Sequence, residues 1–206
     1  MIMAISKWVL ISTLVMSSSV MAGFEITKDN EGLGFSEHVT LERNTVFSLV
    51  GTKLKKNDVI PEVQLTTSNL GTNNTIGSGK VRIYNVLVSV DTPVCVEQSD
   101  RFHELAKNSS AYSDKIEFLN VSADTPFTQA RFISQQGYGN EITFLSDSLS
   151  HEFGTKTGAQ IKELGLLTRA IIVVGKNDEI LHIQRVPELT QLPDLDKALD
   201  IAKRNI

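Results

Sequence analysis

Residues 86–106, VLVSVDTPVCVEQSDRFHELA, form the stretch that decides the fold. The β-branched and apolar residues of 81–90 predict a strand that is covered on both faces. Thr92 suits the N-cap of a helix and Pro93 its first turn, and the apolar residues that follow repeat at helical spacing. The stretch therefore predicts a strand, a sharp turn and a helix, and it carries Cys95, the single cysteine of 206 residues.

Strands and helices alternate on the C-terminal side of this stretch. The order from residue 81, β-α-β-α-β-α-β-β-α, predicts an α/β sandwich whose last two strands form an antiparallel pair. The predicted strands are 81–90, 116–121, 142–145, 170–174 and 180–186, and the predicted helices are 93–107, 126–137, 149–155 and 193–204.

The N-terminal side is predicted to carry short β-structure and surface loops. Segments 39–42 and 46–49 alternate around a short turn, which predicts a β-hairpin, and 63–67 predicts another short strand. Residues 68–80 are rich in Asn, Gly, Thr and Ser, which favours exposed turns, and 158–167 is predicted as a loop.

Residues 1–22 have the pattern of a signal peptide. Lys7 gives a positive start, 8–16 is apolar, and the segment ends Val20-Met21-Ala22, which predicts cleavage after Ala22. A membrane anchor is the alternative, but the apolar run is shorter than the roughly 20 residues that a membrane span needs. We therefore expect a periplasmic or secreted protein without membrane association after cleavage, with a loose leader at 23–37 and one domain at 38–206.

Charge and cysteine usage exclude several classes of function. A net charge of −4 and no basic run argue against binding to nucleic acid. One cysteine excludes an intramolecular disulfide, and without a Cys-x-x-C motif the chain cannot exchange disulfides as thioredoxins do.

Cys95 has two interpretations on its placement alone. Free backbone N–H groups at a helix N-terminus favour a thiolate, so Cys95 is a candidate nucleophile. The alternative is a buried, inert cysteine, because cysteine is common in protein cores. An N-cap hydroxyl hydrogen-bonds the third helical residue, so we expect Thr92 Oγ1 to lie close to Cys95 Sγ.

The histidines do not form a predicted site. His38, His103, His151 and His182 are scattered, and no two have the spacing of metal ligands. His103 follows Cys95 by eight residues, about 12 Å along a helix, which is too far for a Cys–His pair.

Several separated blocks resemble one known family. VDTPVC at 90–95 with Arg101-Phe102, VSADTPF at 121–127 with QARF at 129–132, and GLLTRAIIV at 165–173 resemble the thiol peroxidases of the atypical 2-Cys peroxiredoxins. The resemblance runs from about residue 39 to the C-terminus. It implies a thioredoxin-like α/β fold, of the glutaredoxin and peroxiredoxin type, with an N-terminal β-hairpin.

The resemblance also implies roles for three residues. Cys95 would be the peroxidatic thiolate, which attacks a peroxide and becomes a sulfenic acid. Thr92 would hydrogen-bond the thiolate and the peroxide, and Arg169 would stabilise the thiolate and the charge that develops in the transition state. Because the electrons pass through sulfur, no metal or organic cofactor is implied.

Two positions depart from the family pattern. Ile133 replaces the resolving cysteine, and Val88 replaces a proline that lies seven residues before the peroxidatic cysteine. We therefore expect a one-cysteine cycle that an external thiol or thioredoxin-like reductant resets, in a homodimer as the family implies. The alternatives are a degenerate redox-sensing or binding module, and an enzyme that forms a Cys95–Cys95 disulfide between subunits.

Overall fold

The computed structural model of the chain describes residues 23–29 and 38–206. The predicted signal peptide and residues 30–37 of the predicted leader lie outside these residues. Among the helices described, none is long and apolar enough to cross a membrane. The strands are β1 (His38–Leu41), β2 (Thr45–Val50), β3 (Gln64–Thr67), β4 (Thr72–Asn74), β5 (Val81–Val86), β6 (Ile116–Ser122), β7 (Thr143–Ser146), β8 (Gln160–Ile161), β9 (Leu166–Leu167), β10 (Ala170–Val174) and β11 (Ile180–Arg185). The helices are α1 (Pro93–Lys107), α2 (Pro126–Gln136), α3 (Glu152–Thr157) and α4 (Leu195–Lys203), with a 3₁₀ turn at Ser110–Tyr112.

A mixed sheet forms the centre of the fold, with strand order β11-β10-β5-β6-β7-β3-β4 in the described residues. β5, β6 and β7 pair in parallel, whereas β10 pairs antiparallel with β5 and β11, and β3 pairs antiparallel with β7 and β4. The β1–β2 hairpin belongs to a second, smaller sheet with β8 and β9. The predicted α/β class and the N-terminal hairpin are confirmed.

Apolar clusters cover both faces of the central sheet. Every residue of β5 and β10 is buried, as the mostly apolar sequence of these two strands predicts. One cluster packs α1, α2 and α4 on one face, through Phe102, Phe132 and Leu199 among others. The other packs α3 and the segment 54–65 on the opposite face. This packing places the N-terminus of α1 just beyond the carboxyl end of β5.

Some predicted boundaries are wrong, and each error has a tertiary cause. The predicted strand 81–90 ends at Val86, because the turn that follows is bonded to the Asp124 carboxylate through Ser89 and Val90. The 68–80 segment contains β4, and the predicted loop 158–167 contains β8 and β9. These short strands form by pairing with neighbouring strands and carry no apolar alternation of their own.

Residues 23–29 are fixed to the domain, where the sequence predicts a loose leader. Thr27 N donates to Leu192 O at 2.9 Å, and Leu192 N donates to Glu25 O at 2.8 Å. The Gln184 amide donates to the carbonyls of Thr27 and Asp29 at 3.0 Å each. Residues 23–29 make these contacts with their own backbone N–H and C=O groups, so the side-chain composition of the segment does not indicate them.

His182 makes the stability of the fold depend on pH. Burial, followed by the nearby Lys197 charge, lowers the pKa of His182 from 6.5 to about 4. Between these values the unfolded chain binds a proton that the folded chain does not, so stability is lost as the pH falls through this window. Because His182 is only partly buried, solvent screens part of this effect, and we expect the free energy of unfolding to drop by about 1 kcal/mol from this residue between pH 7 and 5.

Urea unfolding of the wild type and His182→Gln at both pH values measures this contribution. The variant should show a smaller loss on acidification. Equal losses in the two proteins would mean that other groups account for the pH dependence.

Candidate active site

The helix α1 begins where the sequence predicts. Thr92 is the N-cap with an extended backbone (φ −106°, ψ 140°), and Pro93 occupies the first turn. Val96 N donates to Thr92 O at 3.0 Å, which is the first hydrogen bond of the helix. Cys95 is therefore the third helical residue, among the backbone N–H groups that have no partner within the helix.

The Thr92 side chain does not make the expected cap bond. Its hydroxyl donates to Ser89 O at 3.2 Å, and Thr92 N donates to the same carbonyl at 3.2 Å. No side chain caps α1. The cap bond on which the expected proximity of Thr92 Oγ1 and Cys95 Sγ was based is therefore absent, and the hydroxyl is bonded to the carbonyl of the preceding turn.

Asp124 anchors the turn that precedes α1. Its carboxylate accepts from Ser89 Oγ and from Val90 N, each at 2.9 Å. Thr125, and not Asp124, caps α2 by accepting from Thr128 N at 3.2 Å. Asp124 is thus free to bind the neighbouring turn, and two turns distant in sequence fix the start of α1.

Cys95 and Arg169 meet inside the protein, as the family resemblance implies. Cys95 is fully buried, and Arg169 is 1% exposed at the residue before β10. Arg169 Nη1 donates to Cys95 Sγ at 3.4 Å, joining residues 74 positions apart. The distance allows a charge-assisted hydrogen bond between the guanidinium and a thiolate.

The other partners of Arg169 carry no negative charge. Nε and Nη2 donate to Leu189 O at 3.3 and 2.9 Å, and Nη1 also donates to Gln98 Oε1. Among the described residues, no carboxylate forms an ion pair with Arg169. A buried cation is costly without a counter-charge. Cys95 is the ionisable group in contact with it, so an ionised sulfur at this position would be the counter-charge of the guanidinium.

Gln98 belongs to this site, although no motif or spacing in the sequence indicates it. It lies three residues after Cys95 on the same face of α1 and is fully buried. A polar residue at a core position of an amphipathic helix is a usable signal. The signal becomes visible only once the buried face of α1 is known.

The two positions that depart from the family pattern are apolar positions in the structure. Val88 is 7% exposed and belongs to the cluster that contains Cys95, and Ile133 on α2 packs against the same cluster. Cys95 is a free thiol.

His103 lies in a separate surface cluster, as its sequence distance from Cys95 predicts. Its Nε2 is 3.2 Å from Glu141 Oε2, and its ring lies 4.7 Å from that of Tyr138. Within residues 23–29 and 38–206, no three His, Cys, Asp or Glu side chains group together to hold a metal ion.

Comparison with known proteins agrees with this geometry. The Redoxin family model matches residues 55–199. A thiol peroxidase of Halalkalibacterium halodurans is 37% identical over 80% of this chain and 96% of its own. The chain belongs to the thiol peroxidase family. A thiol peroxidase of Bacillus subtilis is 35% identical over 76% of this chain and 91% of its own.

Solved structures of thiol peroxidase relatives share the fold. A peroxiredoxin-like protein from Aquifex aeolicus superposes with a TM-score of 0.75 at 29% identity, covering 83% of this chain and 98% of that one. A thiol peroxidase from Chromobacterium violaceum has a TM-score of 0.68 at 18% identity, covering 81% and 95%. The thioredoxin-like fold is confirmed.

Arg169→Gln tests whether the guanidinium activates the sulfur. We expect alkylation of Cys95 by iodoacetamide at pH 7, followed by mass spectrometry, to slow about tenfold, because the thiolate loses its cation. Arg82→Gln is the matched control, since Arg82 is equally buried but pairs with Asp178. It should change the rate less than about twofold. Equal rates in the wild type and Arg169→Gln would contradict the assignment.

Proposed function

We propose that this protein is a thiol peroxidase that reduces hydrogen peroxide or small alkyl hydroperoxides through Cys95. One observation carries the proposal: the buried Arg169 guanidinium donates to the Cys95 sulfur and has only neutral partners besides it among the described residues. A nucleophilic attack on a peroxide needs an ionised sulfur and nearby donors, and the guanidinium is both a counter-charge for such a sulfur and a donor beside it.

The first half-reaction oxidises Cys95. The thiolate attacks one peroxide oxygen, an S–O bond forms, and the O–O bond breaks. Sulfur loses two electrons and becomes a sulfenic acid, while the leaving hydroxide or alkoxide takes a proton to become water or an alcohol. Arg169 stabilises the charge. Thr92 is partly exposed, and in this proposal the peroxide enters beside it. The Thr92 hydroxyl then donates to a peroxide oxygen instead of to Ser89 O.

The second half-reaction uses an external thiol. With Ile133 in place of a second sulfur, the sulfenic acid condenses with an external thiol, forming a mixed disulfide and releasing water. A second thiol equivalent then releases Cys95 and leaves as the disulfide of the reductant. Since Cys95 is fully buried, the reductant reaches the sulfur only when the first turn of α1 moves.

A redox-sensing or binding module is the second candidate function, favoured by the two departures. Val88 and Ile133 both contribute to apolar packing next to Cys95. A sensor would form the sulfenic acid once and not turn over with thiols.

Stopped-flow peroxide consumption by the wild type and Cys95→Ser tests the peroxidase. We expect turnover with dithiothreitol in the wild type and only the buffer rate in the variant. Without a thiol, one peroxide per chain should be consumed, and a dimedone adduct should appear at Cys95. Equal consumption by both proteins would refute the proposal, whereas a single turnover that thiols do not extend would favour the sensor.

A homodimer is part of the proposal, on the strength of the family resemblance. Sedimentation of the reduced protein measures the assembly. A reducible dimer band after peroxide treatment would instead favour the intersubunit Cys95–Cys95 disulfide, which requires the same opening of α1.

We also propose that the protein is exported and processed to begin at Gly23. The support is the positive start, the apolar run and the small residue at Ala22. Expressed with its full leader in a bacterial host, the protein should appear in the periplasm with the mass of residues 23–206. Ala22→Phe should retain the leader, because a bulky residue blocks cleavage. A full-length mass in the cytoplasm for both proteins would contradict export.

A further inference from the structure

A chain of buried amides leads from Arg169 across the centre of the sheet. Gln98, which accepts from Arg169, donates through Nε2 to Asn85 Oδ1 at 2.5 Å. Asn85 Nδ2 donates to Asn120 Oδ1 at 2.8 Å, and Asn120 Nδ2 donates to Ser99 Oγ at 3.5 Å. All five side chains are at most 1% exposed. We call Gln98, Asn85 and Asn120 the amide chain.

The amide chain has one direction, which Arg169 sets. A guanidinium can only donate, so the oxygen of Gln98 must face Arg169 and its nitrogen must face Asn85. The same logic then fixes Asn85 and Asn120 in turn. The hydroxyl of Ser99 completes the chain, because it can accept. The oxygen end of each amide thus points towards the cation, and aligned hydrogen bonds strengthen one another.

The two asparagines stand at a place where apolar residues would pack. Asn85 on β5 and Asn120 on β6 are direct neighbours in the parallel register. The residues two positions away, Ile83 and Phe118, belong to the apolar cluster beneath α1. Asparagine is disfavoured in strands, and a buried amide is costly unless it is hydrogen-bonded. Their location therefore needs a reason other than packing.

We propose that Asn85 and Asn120 are positioning residues for the Cys95–Arg169 pair. They hold the Gln98 oxygen against Arg169, which in turn holds the guanidinium on the sulfur. The amide chain stabilises the buried cation with dipoles instead of a carboxylate, so the positive charge remains available to Cys95. The effect on peroxide reduction rests on the proposed function, whereas the effect on thiol reactivity does not.

The contribution of Asn85 is partial, because Gln98 has a second acceptor. Gln98 Nε2 also approaches Val86 O, at the longer distance of 3.4 Å. Loss of Asn85 therefore weakens the orientation of Gln98 without removing it. Asn120 lies one bond further from Arg169, so its loss has a smaller effect.

Leucine variants separate positioning from packing, since leucine removes the amide at similar volume. In Asn85→Leu we expect alkylation of Cys95 by iodoacetamide at pH 7 to slow about fivefold, less than in Arg169→Gln, and its pH profile to move upward. In Asn120→Leu the rate should fall about threefold. Peroxide reduction should slow in the same order.

Gln129→Leu is the matched control. Gln129 is also fully buried, and its amide donates to Ser122 Oγ and Leu145 O at 2.9 and 3.0 Å, outside the amide chain. It should lose comparable stability but keep the wild-type pH profile.

A pH profile in both asparagine variants that matches Gln129→Leu would overturn the proposal. If Asn85→Leu does not fold, the same assay is applied to Asn120→Leu and to the double variant Asn85→Leu/Asn120→Leu. The double variant leaves no unpaired asparagine amide between the two strands. If the wild type consumes no peroxide, the proposed function fails, and the alkylation profiles still test the amide chain.

Discussion

The buried guanidinium of Arg169 is the constraint on which the site depends. A guanidinium inside a protein needs acceptors for its N–H donors, and here the acceptors come from two parts of the chain. Leu189 O comes from the segment after β11, Gln98 from α1, and the Cys95 sulfur from the first turn of that helix. Closing these contacts requires β10 and α1 to be correctly placed, so the fold and the reactivity of the thiol are linked.

Stability and direction come from different interactions. The apolar clusters on the two faces of the sheet supply most of the driving force, which depends on area and not on orientation. Hydrogen bonds supply the orientation. Asp124 binds the turn before α1 and sets where the helix starts. Gln98 orients the Arg169 guanidinium, which donates to the Cys95 sulfur.

The environment of Cys95 also explains why the catalytic cycle depends on an external partner. The cluster around the thiol is apolar, and Ile133 packs against it at the position where the family pattern has the resolving cysteine. A packed, fully buried thiol is shielded from large reagents. The same packing means that reduction of an oxidised Cys95 requires movement of α1.

The sequence by itself determined the α/β class, the main strands and helices and the start of α1, and it indicated Cys95 and Arg169 as candidate site residues. These follow from local periodicity, capping and blocks of resemblance, all of which are properties of neighbouring residues. Only the tertiary structure decided that Thr92 bonds Ser89 O and that Asp124 anchors the turn. It alone placed Gln98 against the arginine and linked Gln98 to two asparagines on the sheet. Buried polar contacts join residues that are far apart in the chain, and no local pattern records which partner satisfies them.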